Sequence, residues 1–297
     1  MFIKRMPKFA HHAPATITEA LDLLARWGGQ ARVFAGGTDL FPAMKKREQT
    51  PGHLISLKGI ADLGGISEDD NWIRIGALAT LGEIERSPVI RERLPILRQT
   101  VQLMASPQIR TLATIGGNIC SAVPSADTAP PLIALQATVK MVGADGERSM
   151  LVENFFRGPK ESVLREGEIL MEIIIPRPLA RSGGVYLKLM RRSAMDLALV
   201  GVAACLNLDE SQKICEGARI ALGAVAPTPI RVPEAEAVLA GRKIDETRAG
   251  EAAQAAAKTC RPRSNSIRAS VEYRRAMVDV LTKRAILEAF QSAGRQD

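Results

Sequence analysis

Ala35-Gly36-Gly37-Thr38-Asp39-Leu40 recurs in similar form further along the chain, as Thr114-Ile115-Gly116-Gly117-Asn118-Ile119. Each stretch contains two adjacent glycines followed by a small polar side chain, and each follows an apolar run. Paired glycines let a backbone turn tightly and bring its N–H groups close to an anion, because no Cβ stands in the way. One pair alone is typical of a plain turn. Two pairs of similar design predict two turns that together hold one diphosphate.

The residues around the first pair have the pattern of a small β/α unit. Residues 31–34 are β-prone, residues 40–46 favour a short helix, and residues 53–57 have the pattern of a further strand. The capping-box pattern Thr16-Ile17-Thr18-Glu19 predicts the start of an earlier helix, which Gly28-Gly29 ends. The first glycine pair is therefore expected between a strand and a helix.

Two common nucleotide-binding motifs are absent from both stretches. An ATP-binding P-loop needs Gly-Lys-Ser/Thr after the turn, and a Rossmann fingerprint needs GxGxxG at the start of a long helix. The sequence therefore predicts a different cofactor with a diphosphate. Backbone N–H groups and the side chains of Thr38, Asp39, Thr114 and Asn118 are expected to hold it.

A predicted domain boundary lies at Pro176-Arg177-Pro178, since neither a helix nor a central strand continues through it. After it, apolar runs predict antiparallel strands at residues 185–189, 197–208 and 220–225, and helical patterns follow at residues 233–239, 246–258 and 271–290. The last helix is expected to bury one stripe of side chains, namely Tyr273, Met277, Val280, Leu281 and Leu287.

The bulk composition is that of a globular protein with a scattered positive charge. The 297 residues carry a net charge of +8, but only 4% are aromatic and the basic residues form no stripe. A solvated surface or an acidic partner is therefore favoured over a nucleic-acid interface. No apolar run reaches the roughly 20 residues of a membrane span. Residues 1–7 lack the apolar run of a signal peptide, which predicts a cytoplasmic protein.

The cysteines and histidines predict no metal site in this chain. Cys120, Cys205, Cys215 and Cys260 are too widely spaced for a CxxC pair or an iron–sulfur run, so buried free thiols are expected. The three histidines, at positions 11, 12 and 53, do not have metal-ligand spacing.

The two glycine stretches and several later motifs resemble the FAD-binding medium subunits, or flavin domains, of the molybdenum hydroxylases. This family includes xanthine dehydrogenase, carbon monoxide dehydrogenase and 4-hydroxybenzoyl-CoA reductase. The later motifs are residues 124–127, Tyr186-Leu187-Lys188, Arg191 with residues 196–200, and the Pro-containing turn at residues 223–229. The resemblance covers nearly the whole chain.

The resemblance implies an α+β fold in three parts. Residues 1–57 would form an N-terminal FAD-binding subdomain and residues 58–176 a middle one, together making the two-part FAD-binding region of the vanillyl-alcohol-oxidase/PCMH type. Residues 177–297 would form a C-terminal domain of antiparallel sheet and helices, of the carbon monoxide dehydrogenase flavoprotein type.

The resemblance also implies a set of FAD-binding residues. Asp39 and Asp127 carry acceptors suited to hydroxyl and N–H groups of the cofactor, and Lys188 would favour negative charge on the reduced flavin. Their alternatives are helix caps for the two aspartates and a solvated lysine. The full set is Val33, Phe34, Ala35, Gly36, Gly37, Thr38, Asp39, Leu40, Thr114, Gly116, Gly117, Asn118, Cys120, Asp127, Leu170 and Lys188.

By the same resemblance the chain is an electron-transfer subunit of a heteromeric oxidoreductase. Electrons would pass from [2Fe–2S] clusters on a small subunit, fed by a molybdenum cofactor on a large subunit, through FAD to an external acceptor. The expected assembly is a dimer of heterotrimers, and no side chain here is expected to be catalytic. The chain lacks the cysteine-rich loop of 4-hydroxybenzoyl-CoA reductase flavin subunits. A stand-alone FAD oxidoreductase and a flavin-free assembly protein are the alternatives.

Overall fold

The structure is a computed structural model that describes residues 5–294. The start of the N-terminal segment, on which the absence of a signal peptide was judged, lies outside the described residues. The strands are β1 Ala10–His12, β2 Ala31–Phe34, β3 His53–Ser56, β4 Ile66–Glu68, β5 Trp72–Gly76, β6 Thr138–Gly143, β7 Gly146–Leu151, β8 Phe156–Gly158, β9 Glu161–Ser162, β10 Ile169–Pro176, β11 Ser182–Leu189, β12 Val200–Leu208, β13 Ile214–Gly223, β14 Ile230–Arg231 and β15 Arg242–Lys243.

The helices alternate with strands only up to β3, then form a continuous run between β5 and β6, and the rest follow β14 with β15 among them. They are α1 Ile17–Trp27, α2 Leu40–Lys46, α3 Leu81–Arg86, α4 Pro88–Arg93, α5 Pro95–Gln102, α6 Pro107–Arg110, α7 Ile115–Cys120, α8 Ala129–Ala134, α9 Pro233–Leu239, α10 Glu246–Thr259 and α11 Val271–Ala293. Mixed helix and sheet confirms the predicted α+β class.

The first sheet is parallel, with strand order β1-β3-β2. Helix α1 begins at Thr16, whose hydroxyl accepts from Glu19 N, and ends at Gly28, where φ is 46°. It buries Ala20 and Leu24 against the sheet. Strand β2 then delivers the chain to the first glycine stretch, as the sequence predicts.

The second sheet is antiparallel, with order β4-β5-β10-β6-β7. Helices α3, α4, α5, α7 and α8 contribute to the same apolar core as this sheet. Residues 81–102 form three short helices rather than one, since Pro88 and Pro95 each begin a new helix. The capping box at Thr80 and Glu83 is complete, because the Thr80 hydroxyl accepts from Glu83 N and the Glu83 carboxylate accepts from Thr80 N.

The third sheet follows Pro176 and has order β11-β12-β13-β14, with β15 also paired to β13. Its strands are antiparallel, and helices α9 to α11 bury apolar side chains against it. All three predicted strands begin elsewhere than predicted: β11 begins at Ser182 rather than residue 185, β12 at Val200 rather than residue 197, and β13 at Ile214 rather than residue 220.

The predicted buried stripe of α11 is wrong in its outer members. Tyr273 is 46% exposed and Val280 is 38% exposed. The helix instead buries a neighbouring stripe that consists mostly of small side chains, namely Arg274, Val278, Thr282, Ala285, Ile286, Ala289 and Ala293. Small side chains let α11 lie close to the sheet, so the face with the largest side chains is not the face that the helix buries.

Within residues 5–294, no helix is both long and apolar enough to cross a membrane. The same residues contain four free cysteines, of which Cys215 and Cys260 are buried and Cys120 and Cys205 are partly buried.

Candidate FAD-binding site

The first glycine stretch forms the loop between β2 and α2. Gly36 lies so close to the carbonyl of Leu112 that a Cβ on Gly36 would collide with it, and Gly37 adopts a φ of 71° with its Cα facing the ring of Phe41. Both positions therefore require glycine for reasons internal to the protein. Their tight fit fixes the path of the loop.

The N–H groups of this loop are free. Among residues 5–294, none accepts a hydrogen bond from the backbone N–H of Gly36, Gly37, Thr38 or Asp39. The Thr38 hydroxyl and the Asp39 carboxylate likewise have no partner among these residues, and Asp39 stands at the start of α2 without capping it. Four successive N–H groups with no protein acceptor are what an anion such as a diphosphate needs.

The second glycine stretch differs from the prediction, because it forms the short helix α7 rather than a turn after a strand. Thr114 caps this helix, accepting from Gly117 N at 3.1 Å through its hydroxyl and from Asn118 N at 3.0 Å through its carbonyl. Ile115 N donates to Ala79 O, and Gly116 N donates to Ala77 O. The two stretches are thus not equivalent, since the N–H groups of the second are used within the protein.

The two glycines of α7 have different reasons to be glycine. A Cβ on Gly116 would stand 2.6 Å from the carbonyl oxygen of Ala77, so packing excludes any side chain there. Gly117 is exposed, and a Cβ there would meet only the hydroxyl of Thr114, at 2.9 Å. The matching position of the neighbouring helix α3 carries a full side chain, Glu83, under the same kind of threonine cap.

Gly117 therefore leaves open a surface that a side chain would fill. Its backbone is helical, so neither its conformation nor a backbone clash excludes a side chain. A bare exposed backbone with no internal cause is what close approach of a ligand requires. The residues present thus fit a bound cofactor at this point.

The structure brings the two glycine stretches together. Gly36 packs against Leu112 and Ala113, which immediately precede Thr114. Thr114 in turn pairs with Thr80 in an isolated antiparallel bridge. The free N–H groups of the first loop and the open surface at Gly117 therefore belong to one region of the molecule, although about 75 residues of sequence separate them.

The side chain of Asn118, on α7, is held in place by Thr128. Its side-chain oxygen accepts from the hydroxyl of Thr128 at 2.6 Å, and its amide N–H groups have no acceptor among residues 5–294. Two amide N–H donors therefore remain for a ligand. Cys120, at the end of the same helix, is partly buried, and burial raises the pKa of its thiol to about 12.

Asp127 and Lys188 lie against each other. Lys188 Nζ donates to Asp127 Oδ2 at 2.8 Å, and their side chains are 1% and 8% exposed. Tyr186 Oη donates to the other carboxylate oxygen at 2.8 Å. Burial raises the pKa of Asp127, an effect that both donors oppose. Asp127 does not cap α8, because that helix starts after Thr128 and both carboxylate oxygens have other partners.

The remaining predicted residues have varied surroundings. Val33 and Phe34 are half-buried at the end of β2, where Phe34 contacts the ring of Phe41 at a centroid distance of 5.4 Å. Leu170 is buried in β10 and belongs to the core of the second sheet. The sequence identified Tyr186 only as part of the Tyr186-Leu187-Lys188 motif and gave it no role, although its position two residues before Lys188 on a strand places both on one face.

Two family models match this chain. The FAD-binding domain in molybdopterin dehydrogenase matches residues 7–178, and the carbon monoxide dehydrogenase flavoprotein C-terminal domain matches residues 185–289. Together they cover nearly the whole sequence, so both the cofactor-binding region and the C-terminal domain are accounted for.

Relatives agree with the family models over almost their full length. The carbon monoxide dehydrogenase medium chain of Hydrogenophaga pseudoflava is 35% identical over 284 residues, which is 96% of this chain and 98% of the relative. The putative xanthine dehydrogenase FAD-binding subunit of Escherichia coli (strain K12) is 33% identical, covering 96% of this chain and 97% of the relative.

Solved structures show the same fold. A carbon monoxide dehydrogenase from Hydrogenophaga pseudoflava that lacks the Mo-pyranopterin moiety of the molybdenum cofactor contains a chain that matches with a TM-score of 0.93 and 35% identity, covering 97% of this chain and 99% of that one. Quinoline 2-oxidoreductase from Pseudomonas putida 86 matches with a TM-score of 0.91 and 32% identity, covering 97% and 99%. The predicted family, oxidoreductase class and FAD cofactor are therefore confirmed, and this chain belongs to the FAD-binding medium subunits of the molybdenum hydroxylase family.

Proposed function

We propose that this chain holds FAD between the first glycine loop and α7, and passes electrons from a partner subunit to an external acceptor. The proposal rests on the backbone N–H groups of Gly36 to Asp39, which have no acceptor among residues 5–294. The contact between Gly36 and Leu112 holds these groups close to the exposed backbone of Gly117. Backbone donors and a bare backbone surface suit a diphosphate without a P-loop or a Rossmann turn.

Individual residues have distinct proposed tasks at this site. The loop after Ala35 holds the diphosphate through the free N–H groups of residues 36–39, with Thr38 and Asp39 as additional polar contacts. Further contacts at the two ends of this loop are proposed for Val33, Phe34, Ala35 and Leu40. Thr114 and Gly116 shape the helix start, and Gly117 leaves room for the cofactor. The side-chain amide of Asn118 donates to it. Further contacts are proposed for Cys120, Asp127, Leu170 and Lys188.

The chain's task is to bind and orient the cofactor, because FAD itself supplies the electron-accepting and electron-donating chemistry when bound. The chain contributes no proposed catalytic side chain and no proposed metal ligands. Residues 1–57 and 58–176 are proposed to bind FAD, and residues 177–297 are proposed to complete the site from the other side.

Membership of a family of medium subunits implies partner subunits. We propose that these are an iron–sulfur small subunit, whose [2Fe–2S] clusters deliver electrons, and a molybdopterin-binding large subunit. The proposed assembly is a dimer of heterotrimers in the cytoplasm. Four free thiols within residues 5–294 are consistent with a reducing compartment.

Native purification tests this function. The expected result is a yellow complex in which this chain retains FAD and co-purifies with one subunit that shows [2Fe–2S] absorption and one that contains a molybdenum cofactor. A colourless chain that takes up no added FAD would contradict FAD binding. A yellow monomer that oxidises a substrate unaided would support a stand-alone oxidoreductase instead.

A further inference from the structure

Tyr186 joins the third sheet to the candidate FAD site through its hydroxyl. The side chain is fully buried, with 1% exposure, and its Oη donates to Asp127 Oδ1 at 2.8 Å. Lys188, two residues further along β11, donates to the other oxygen of the same carboxylate. One strand of the C-terminal region thus holds Asp127 at both oxygens.

Gly201 provides the room that this tyrosine hydroxyl needs. Gly201 lies on β12 in a backbone conformation open to any residue, and a Cβ there would stand 2.6 Å from Tyr186 Oη and 3.2 Å from two ring carbons. Packing against the tyrosine, rather than backbone conformation, therefore requires glycine at this position. The third sheet contains a space that fits the hydroxyl.

The segment that Tyr186 holds, residues 124–128, is hydrogen-bonded to α7. Thr128 follows Asp127, and its hydroxyl donates to the side-chain oxygen of Asn118 at 2.6 Å. The carbonyl of Pro124 accepts from Ala224 N at 2.8 Å, so the C-terminal region holds the same segment at a second point. The orientation of the Asn118 amide thus depends on contacts made by the third sheet.

We propose that Tyr186 is a positioning residue of the FAD site, whose hydroxyl fixes Asp127 and, through Thr128, the side chain of Asn118. This inference rests on the proposed function, because it takes Asn118 and Asp127 as FAD contacts. The inference also gives the C-terminal domain a part in completing the site. Apart from Lys188, the other residues of the proposed site all lie before residue 177.

The pKa of Asp127 provides a measurement that distinguishes this role from a purely structural one, which would leave that pKa unchanged. Burial raises the pKa of this carboxyl, while the charge and hydrogen bond of Lys188 and the hydrogen bond of Tyr186 lower it. These two are the titratable side chains that contact Asp127 within residues 5–294. Loss of the tyrosine hydroxyl therefore moves the pKa of Asp127 further upward.

The experiment compares two variants that remove the same contact by different means. Tyr186→Phe deletes the hydroxyl without a cavity, and Gly201→Ala pushes the hydroxyl away. The matched controls are Tyr273→Phe at the other tyrosine of the chain, which is 46% exposed, and Gly250→Ala, where a Cβ meets nothing within 4 Å. The measurements are the FAD dissociation constant against pH, and hydrogen exchange of residues 117–128 in the FAD-free protein.

Both test variants should weaken FAD binding by about tenfold at pH 7, the scale of one lost buried hydrogen bond. The acid limb of binding should move to higher pH, and exchange of residues 117–128 should accelerate, while both controls match the wild type. The proposal would be overturned if the Tyr186→Phe variant showed wild-type FAD affinity, pH profile and hydrogen exchange. This holds regardless of the melting temperature of that variant and of the behaviour of Gly201→Ala. A wild-type chain that binds no FAD would instead overturn the proposed function, and the exchange measurement would still report on Tyr186.

Discussion

Gly36 packs directly against the carbonyl of Leu112, and this contact joins the two glycine stretches. A side chain at position 36 would have to displace backbone at position 112, which cannot swing away as the end of a flexible side chain can. This contact therefore sets the distance between the free backbone N–H groups of the first loop and the exposed backbone of Gly117.

Replacing Gly36 by Ala should separate these two segments. We expect a loss of about 1–3 kcal/mol in the free energy of unfolding, the usual cost of overpacking, together with weaker FAD binding. Denaturant unfolding and FAD titration measure the two effects. Gly52→Ala is the control, because a Cβ there meets nothing within 4 Å. Equal behaviour of both variants would show that the contact at Leu112 is not constraining.

The ion pair between Arg148 and Glu168 should make stability depend on pH. Arg148 donates to both carboxylate oxygens of Glu168, at 2.7 and 2.6 Å, and this hydrogen bonding holds the pKa of Glu168 below its ordinary value of 4.5. A depressed pKa contributes stability that is complete above 4.5 and is lost as the pH falls through the lower folded-state pKa.

Glu168→Gln should therefore be less stable than the wild type at pH 7, by about 1–2 kcal/mol since Arg148 is partly exposed. The difference should shrink as the pH falls below 4.5. Urea unfolding at several pH values measures it, with the exposed Glu288→Gln as the control. A difference that stays constant down to pH 3 would mean that the carboxylate charge of Glu168 contributes nothing.

Much of the fold follows from local sequence signals. The strand, loop and helix around Gly36 and Gly37 and the capping box at Thr80 depend on short-range chemistry, which the sequence displays directly. The buried face of α11 was missed because Tyr273 and Val280 are large and apolar, yet small residues let the helix approach its sheet more closely.

The sequence showed where the two glycine stretches of the candidate site lie, but not the hydrogen bonds around them. The helix at residues 115–120 was missed because glycine pairs usually indicate a turn, whereas the Thr114 cap and the carbonyls of Ala77 and Ala79 stabilise a helical start here. The partners of Asp127 come from about 60 residues away, and no local pattern encodes that contact.

Arg274 should be essential to the third sheet. Its guanidinium is buried and donates to the carbonyls of Leu199 and Ala224 and to the hydroxyl of Ser266. Arg274→Met would remove the guanidinium donor from both buried carbonyls, so we expect a loss of about 2–4 kcal/mol in unfolding free energy. Arg284→Met on the exposed side of the same helix is the matched control. Equal melting temperatures of the two variants would contradict this role.

The four cysteines should resist alkylation while the chain is folded. Burial raises the pKa of Cys120 and Cys205 to about 12 and of Cys215 and Cys260 to about 11. Since the thiolate is the reacting form, at pH 8 only about one thiol in a thousand or fewer is reactive. Mass spectrometry after iodoacetamide treatment should show no adducts in native protein and four after denaturation. Rapid labelling of native Cys120 would contradict its burial.

FAD titration of the Gly117→Val chain tests the central claim most directly. Gly117 is exposed and helical, and only the Thr114 hydroxyl lies near the position of a new Cβ, so the chain should still fold. Gly250→Val, at another helical glycine with open space around it, controls for the helical cost of valine. The account predicts that Gly117→Val binds FAD at least about a hundredfold more weakly than the wild type, while Gly250→Val binds FAD like the wild type. Equal FAD affinity of the two variants would contradict it.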